Sequence, residues 1–504
     1  MRPDKGESGE GISGSGSVSV AGGKAFLYVH LKNKGKPVIL STKDLEGFAW
    51  KEGVPDDLGV KVDEETVKAR DKAQKANEHW RDDSVRDAFI KDFQATLDPK
   101  LVEIHSPWMK DRIAYIWKHP GDPHFWAHWE DLIILATIRD KEFATYDNLK
   151  QPLKKAGLGK GDTYRAADCI FTMIGLDGHL ATMGNTYTDT IICWDAETGK
   201  ELWRKDFPAV PSSEAAYWGA SGTPAVSDGK CYASGSAGLY CLDVKDGSVI
   251  WQAKTTFTHS SPFVTKDGVF LMLAEGLTAL DATTGKVLWT QPGIKDHRSS
   301  VAPWINGEKK YLIADGFCVD QTDGKVVWRS PAQAWGATPV VSGDIALLLC
   351  DGKTQGVSLS AAKGELLWSK PPGCANGAST PVIYQGYVYQ TSVRYCSSCR
   401  CRDLKTGDVK WDAGSAWELH STIAADGKIF ATRNIGGVCP HLMMFKATPE
   451  KFELLGLGTD IVAQGPSPSI ANGRLYMRLR DCVACYDITA DGNPVVAPPK
   501  GPPK

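Results

Sequence analysis

The sequence predicts an all-β protein that folds as a closed β-propeller of four-stranded blades and carries one helical insert. Three observations predict this fold: a polar turn motif recurs along the chain, each full copy ends in a tryptophan, and consecutive copies end 38 to 48 residues apart. A period near 40 residues, made of short strands, is typical of propeller blades. The 51 glycines and 17 tryptophans among 504 residues suit a turn-rich protein with aromatic anchors.

The turn motif lies between two short apolar runs, as in LDATTGKVLW at residues 280–289. Such an arrangement forms a β-hairpin. A second hairpin pattern precedes each motif, for example HSSPFVTKDGVFLML at 259–273, so each unit supplies four strands. Closing the units into a ring protects most of the strand edges that a stack of open sheets would expose. The six full copies end at Trp203, Trp251, Trp289, Trp328, Trp368 and Trp411.

These units resemble the quinoprotein-type β-propeller repeat, whose signature is an Asp, a Thr-Gly turn and a closing Trp. The resemblance covers about residues 12–53 and 167–492, and it extends in architecture to the propeller lipoprotein of outer-membrane assembly and to quinoprotein dehydrogenases. It implies that the six tryptophans dock between neighbouring blades as structural anchors. The aspartates of the motif lie in turns, where short side chains cap local backbone groups, so we interpret them as structural: Asp195, Asp243, Asp281 and Asp320.

Weaker copies of the motif complicate the blade count. LSTKDLEGFAW ends at Trp50, FKATPEKFELL at 445–455 lacks its tryptophan, and CYDITADG at 485–492 stops before one. We expect eight blades, with seven and nine as the alternatives, and with chain-end segments that share a blade. The expected divisions are a first propeller segment at 12–53, propeller repeats that close the ring at 166–492, and flexible ends at 1–11 and 493–504.

Residues 54–165 interrupt the β pattern and show the apolar spacing of helices, as in DEETVKARDKAQKANEHW at 63–80. We expect a mainly helical insert that leaves from a connection between two blades. Insertions in repeat arrays often decorate the binding face.

Charge and targeting signals narrow the function classes. The formal net charge of −2 gives no reason to expect a nucleic-acid partner, and no apolar run is long enough for a transmembrane segment. The opening MRPDKGESGEGISGSGS lacks the apolar core of a signal peptide. A cytosolic protein and an export signal outside this sequence are the two alternatives, and the resemblance implies a periplasmic or otherwise extracytoplasmic location.

The resemblance also raises the hypothesis of a pyrroloquinoline-quinone dehydrogenase. Such enzymes use an Asp base near a calcium ion held by carboxylate and amide oxygens, and many alcohol-oxidising members have two adjacent cysteines. This sequence has no Cys-Cys pair, and no segment matches a calcium-ligand set or the catalytic Asp. We assign no catalytic residue, cofactor or metal, and keep pyrroloquinoline quinone with calcium as the alternative.

One position of the repeat varies from blade to blade. Alignment on the turns places Ser221, His259, Arg298, Gly336, Gly377, His420 and Gly465 just before the first, innermost strand of each blade. In a propeller this position rings one mouth of the central channel, and variation on a fixed scaffold is typical of a binding site. Solvated loop ends around a water-filled pore are the alternative. The candidate ligand or partner contacts are His259, His297, Arg298, Trp335, Asn376 and His420.

Cysteines cluster in the middle hairpins of three late units. Local disulfides, such as Cys482–Cys485, free thiols and a weak metal site are the open alternatives, and a disulfide suits an exported protein. The residues concerned are Cys396, Cys399, Cys401, Cys439, Cys482 and Cys485. Other cysteines fall on strands and are interpreted as small buried hydrophobic residues: Cys193, Cys241, Cys318 and Cys350.

The preferred hypothesis is a non-catalytic binding or scaffold module whose channel mouth takes a protein or small-molecule partner. It rests on a strong scaffold pattern without a matching catalytic signature. The alternative is a quinone-dependent alcohol or sugar dehydrogenase with a divergent site, and the sequence leaves the oligomeric state open.

Overall fold

The computed structural model confirms the propeller and divides the chain into two compact units. The propeller unit comprises Met1–Lys32, Tyr187–Val210 and Trp218–Lys504, and the helical unit comprises Asn33–Thr186 with Pro211–Tyr217. The structure describes residues 12–13, 16–32, 37–76, 83–118, 128–145, 148–149, 186–209, 222–294, 299–331, 337–350, 353–371, 380–390, 399–414, 418–434, 441–461, 466–479 and 482–489.

The first blade is interrupted by the helical unit. It begins with β1 (Ile12–Ser13), β2 (Ser19–Ala21) and β3 (Lys24–Lys32). The chain then passes through β4 (Val38–Ile39), α1 (Thr42–Glu46), α2 (Asp56–Ala76), α3 (Asp83–Gln94), α4 (Pro99–Lys118), α5 (Trp129–Ala136) and β5 (Glu142–Phe143). It returns as β6 (Tyr187–Asp195) and β7 (Glu201–Pro208), and β6 pairs antiparallel with β3.

This arrangement differs from the expected domain boundaries. We expected the insert to begin at residue 54 and to leave between blades, but it begins after Lys32 and lies within a blade. Trp50 belongs to the apolar core of the helical unit, not to a propeller turn. Ser41 and Asp44 form a capping box that starts α1, so the Asp of the weak repeat copy serves a helix.

Seven further blades follow in chain order, and the eight sheets form a ring. Blades two to four are β8 (Ala225–Ser227), β9 (Lys230–Ser234), β10 (Leu239–Asp243), β11 (Val249–Ala253); β12 (Phe263–Thr265), β13 (Gly268–Leu273), β14 (Gly276–Leu280), β15 (Val287–Gln291); and β16 (Ala302–Asn306), β17 (Lys309–Ala314), β18 (Phe317–Asp320), β19 (Val326–Arg329). Blades five and six are β20 (Val340–Ser342), β21 (Ile345–Cys350), β22 (Lys353–Leu359), β23 (Gly364–Lys370); and β24 (Val382–Tyr384), β25 (Tyr387–Gln390), β26 (Arg400–Asp403), β27 (Val409–Asp412). Blades seven and eight are β28 (Glu418–Ala425), β29 (Lys428–Asn434), β30 (His441–Lys446), β31 (Leu454–Ile461); and β32 (Ser469–Ala471), β33 (Arg474–Arg478), β34 (Val483–Asp487).

The expected blade count is confirmed, but the ring closes differently from the expected sharing of a blade by the two chain ends. The N-terminal strands complete the blade that carries Trp203, and the C-terminal repeat forms a sheet of its own with three described strands. Blades eight and one meet where the backbone N–H of Ser467 donates to Ser17 Oγ at 2.8 Å. The Ser17 N–H in turn donates to Thr223 Oγ1 of blade two at 3.0 Å.

This contact is part of a series of hydroxyl groups just before the innermost strands. The same N–H to hydroxyl bond joins blades two and three, three and four, and four and five: Thr223 to Ser261, Ser261 to Ser300, and Ser300 to Thr338. Each bond satisfies a backbone donor that faces no strand partner, so the small polar residue before each innermost strand stabilises the ring.

Each seam between blades holds an apolar cluster. Between blades two and three, for example, Tyr232 and Trp251 pack with Leu271 and Leu280. Burial of such side chains contributes roughly 1.5–3 kcal/mol each.

The helical unit has its own core around a buried ion pair. Arg112 binds Asp63 through two hydrogen bonds of 2.8 and 2.7 Å, and the Trp129 N–H donates to the same carboxylate at 2.6 Å. Because three N–H groups donate to the Asp63 carboxylate, its buried charge is stabilised inside an otherwise apolar cluster.

Candidate binding face of the propeller

The propeller presents two chemically different faces. We call the face that carries the turns between first and second strands, and between third and fourth strands, the turn face. The loop face carries the connections between second and third strands, and those that lead to the next blade. The candidate mouth residues precede innermost strands and therefore belong to the loop face.

The aspartates of the turn face are satisfied by bonds within their own turns. Asp281 Oδ1 accepts hydrogen bonds from the backbone of Thr283 and Thr284 and from the Thr284 hydroxyl. These bonds, the Thr284 hydroxyl bond first, hold the pKa of Asp281 below its ordinary value. Asp195 is held in the same way by Thr198. The interpretation of the repeated aspartates as turn residues is confirmed.

The tryptophans lie against the turns of the following blade. The Trp251 indole N–H donates to the Ala282 carbonyl at 3.1 Å, and its ring covers Gly285. The same contact recurs six times: Trp203 to Val244, Trp251 to Ala282, Trp289 to Gln321, Trp328 to Ser360, Trp368 to Leu404 and Trp411 to Thr448.

Of the candidate mouth residues, the structure fully describes His259. It is half-buried, and its ring stands edge-on to Phe257 with centroids 4.9 Å apart. Thr258, beside it, anchors the connection by donating from its hydroxyl to the Met272 carbonyl at 2.6 Å. For His420 the structure describes only the backbone, which is part of β28. The remaining candidates lie outside the described residues: His297, Arg298, Trp335 and Asn376.

The loop face contains buried polar atoms that lack hydrogen-bond partners among the described residues. They lie where a second strand ends, where a third strand begins, or just after a fourth strand, and sequence reasoning did not find them. They belong to Thr255, Thr354, Gln355, Gln390, Thr432 and His441. Buried polar groups are normally satisfied, so this concentration distinguishes the loop face as the side with unused binding capacity.

A second feature that the sequence did not predict is a buried carboxylate in β6, the strand that follows the helical unit in the chain. Asp189 accepts hydrogen bonds from the Tyr28 hydroxyl at 2.6 Å and from the Ser236 N–H and hydroxyl at 2.7 and 2.8 Å. His30 Nδ1 lies 2.9 Å from it. Burial raises the pKa of Asp189, but the bonds from His30, Tyr28 and Ser236 outweigh burial and leave the pKa below its ordinary value.

The cysteines divide into two groups. Burial raises the pKa of Cys193 and Cys318 to about 12 and that of Cys241 to about 11, so these thiols stay protonated as small core groups. Cys399 and Cys401 are also buried without a disulfide bond. The side chain of Cys350 is not described, and Cys396 and Cys439 lie outside the described residues.

The disulfide suggested for Cys482 and Cys485 is not formed in the structure. Cys485 lies in β34 and pairs with Tyr476, whereas Cys482 immediately precedes that strand.

Two further tests concern metals and membranes. Across the described ranges, no three His, Cys, Asp or Glu side chains come together as a possible metal site. None of the described helices is both long enough and apolar enough to cross a membrane.

The fold and its repeated turns define an eight-bladed propeller of quinoprotein-type repeats. A family model described as outer membrane protein assembly factor BamB matches residues 188–316 and 317–439, half of the chain. The chain belongs to this family.

Curated relatives cover part of the chain. BamB of Yersinia pestis is 26% identical over 276 residues, which are 48% of this chain and 59% of the relative. Tetrathionate hydrolase of Acidithiobacillus ferrooxidans is 26% identical over 220 residues, 37% of this chain and 42% of the relative. The chain thus spans about half the length of the curated relatives it matches.

Two solved structures are similar to part of the chain at low identity. BamB from Moraxella catarrhalis gives a TM-score of 0.47 at 14% identity, with 59% of this chain and 87% of that chain covered. Quinohemoprotein alcohol dehydrogenase from Comamonas testosteroni gives 0.41 at 14% identity, with 58% and 68% covered.

Proposed function

We propose that the protein is a non-catalytic propeller that binds a protein partner through its loop face. One observation carries this proposal: the repeated aspartates of the turn face bond to their own turns, whereas most of the buried polar atoms that lack partners among the described residues lie on the loop face. The family relationship supports a role in the assembly of bacterial outer-membrane proteins, because relatives at 26–27% identity carry that name. Such a role implies an extracytoplasmic, periplasmic location.

The mouth residues would supply the contacts to the partner. His259, Arg298 and His420 are expected to bind acidic or hydrogen-bonding groups, and Trp335 is suited to an apolar anchor. The six tryptophans would then act indirectly as blade anchors that keep the loop face in shape, a role that their contacts to the following blades support.

A matched pair of variants tests the loop face. His259, Arg298 and His420 are replaced together by alanine, and the control replaces Lys245, Lys286 and Lys405, which are exposed in turns of the opposite face. We expect affinity for an outer-membrane assembly partner, measured by titration, to fall at least tenfold in the first variant and to stay unchanged in the second. Equal effects in the two variants would place the binding site elsewhere.

The second candidate function is a quinone-dependent oxidoreductase, which the repeat family motivates. Across the described ranges, no three His, Cys, Asp or Glu side chains come together, so a calcium site with several carboxylate ligands is not found among them. Titration with pyrroloquinoline quinone and calcium, followed by dye reduction with alcohols and sugars, is expected to show neither binding nor turnover. Calcium-dependent binding with turnover would replace the scaffold proposal. Consumption of tetrathionate is measured separately, without a dye, because one relative is named as its hydrolase.

A further inference from the structure

The seam between blades five and six is polar at a place where other seams are apolar. At each seam, one residue of a third strand meets one residue of the next blade's second strand near the loop face. At six seams both residues of this pair are apolar, and the two members of each pair belong to the same apolar cluster. The pairs are Val483 with Leu27, Ile191 with Ala233, Leu239 with Leu271, Leu277 with Ala314, Cys399 with Ala431, and Leu442 with Met477.

At the seam between blades five and six, the equivalent pair is Thr354 and Gln390. Thr354 pairs with Leu349 across β21 and β22, and Gln390 pairs with Arg400 across β25 and β26. Neighbouring residues confirm that these strands meet at the seam. Leu347, which pairs with the residue two positions after Thr354, and Val388, two positions before Gln390, share an apolar cluster. Thr354 is fully buried and Gln390 is 3% exposed.

Both side chains carry atoms without partners in the described part of the chain. These are Thr354 Oγ1 and both Nε2 and Oε1 of Gln390. Each such buried atom destabilises the folded state unless a ligand or water satisfies it. The other seams show that apolar residues fit here, so the fold itself does not require the polar pair.

Arg400 and Arg402 lie on the same side of the blade-six sheet as Gln390, and Arg402 is two residues nearer the turn face. Arg402 pairs with Val388, is buried, and donates to the carbonyls of Gly407 and Pro371 at 3.0 and 2.8 Å. Its Nε has no partner among the described residues. Arg400 forms an ion pair with Asp412, and Lys370 lies 3.6 Å from Asp408. These two acids are therefore balanced by other cations, and the charge of Arg402 is additional to theirs.

We propose that this seam binds a carboxylate group, held by Gln390 Nε2, the Thr354 hydroxyl and Arg402 Nε. Three of the four unpartnered atoms can donate a hydrogen bond, and the Arg402 guanidinium adds a positive charge, so an acceptor-rich anion fits better than a cation or an apolar group. This proposal rests on the proposed function for one possible source of the carboxylate, an acidic side chain of the protein partner. The other source is a free small anion.

Calorimetric titration of the full chain tests the site with two probes at constant ionic strength, sodium acetate and N-acetyl-glutamate amide. We expect saturable binding of at least one probe and at least tenfold weaker binding by a Thr354→Val, Gln390→Leu variant. Tighter binding of acetate indicates a free anion, and tighter binding of the glutamate derivative indicates a side chain. Thr432→Val, which removes an unpartnered hydroxyl at another seam, is the control and should bind like the wild type.

Absence of saturable binding of both probes, or equal binding by the double variant, would overturn the proposal. Gln390→Met alone repeats the test if the double variant does not fold. These titrations need no partner, so loss of partner binding in the mouth variant with intact acetate binding would distinguish the two proposals.

Discussion

Aspartate serves two different purposes in this molecule, and its surroundings decide which. Asp281 lies at the surface, where it shapes a turn by accepting bonds from residues two and three positions later. Asp189 is fully buried and accepts bonds from Tyr28, its neighbour in the sheet, and from Ser236 of the next blade. The first role follows from local sequence, whereas the second depends on strands that the helical unit separates along the chain.

Replacement of Asp189 by Asn tests the buried cluster. Removing one partner of a buried ionic network costs about 3–5 kcal/mol, so we expect a loss of that size in the free energy of unfolding at pH 7. The native pKa of Asp189 is lowered, so its contribution is fully present above the unfolded value near 3.9 and is lost as pH falls through the native pKa.

Urea unfolding at pH 7 and at progressively lower pH measures this dependence. The difference between wild type and variant should shrink below about pH 4. A difference that stays constant down to about pH 3 would show that the charge of Asp189 is not what stabilises the cluster.

Replacement of Trp251 separates packing from hydrogen bonding at a seam. Trp251→Ala is expected to cost roughly 3–5 kcal/mol in the free energy of unfolding. Trp251→Phe keeps much of the ring but loses the bond to Ala282, and the loss of that bond contributes about 1 kcal/mol. Ile305→Ala, at a side chain 65% exposed, should change stability by less than about 0.5 kcal/mol. Equal stability of the Trp251→Ala variant and the wild type would contradict the anchor role.

At the scale of the element, glycines of the turns distinguish backbone strain from close packing. Gly285 and Gly229 have nearly the same positive φ, +71° and +73°. A Cβ on Gly285 would lie 2.6 Å from the Trp251 ring, whereas a Cβ on Gly229 would meet nothing within 4 Å. We therefore expect Gly285→Ala to reduce thermal stability clearly more than Gly229→Ala, where the strained φ alone acts. Equal shifts in Tm would mean that the indole does not pack tightly on the turn.

Sequence reasoning succeeded for elements whose pattern is local. The Asp, Gly and Trp of a turn lie within nine residues, as in Asp281–Trp289, and Ser360 replaces the Asp in one copy, so six blades are visible in the sequence alone. It failed at Trp50 because the same residue types also suit a capped helix. It failed at the insert because β3 and β6 pair across the whole helical unit. The polar pair of Thr354 and Gln390 is visible only once the register of four strands is known.

At the scale of the whole molecule, the propeller should not need the helical unit in order to fold. Lys32 and Tyr187 are directly paired at the ends of β3 and β6, so a two-residue turn can join them. We expect a chain in which Asn-Gly replaces residues 33–186 to keep its β circular dichroism and to unfold cooperatively. An insoluble or non-cooperative product would show that the ring depends on the insert.

The sequence predicts positions on the loop face but not the buried polar groups found there. The register of the repeats located His259 in the connection before an innermost strand, which the structure describes. Buried groups such as Thr432 carry no signal in the sequence, because a threonine in a strand is ordinary and its lack of a partner among the described residues depends on tertiary packing.

The central claim is that the loop face binds a protein partner and the turn face does not. The most direct measurement places a photoreactive amino acid at His259 or at Lys286, which belong to opposite faces of the third repeat, and identifies cross-linked proteins in cells by mass spectrometry. We expect cross-links to an outer-membrane assembly component from position 259 and none from position 286. Cross-links from position 286 alone, or equally from both positions, would contradict it.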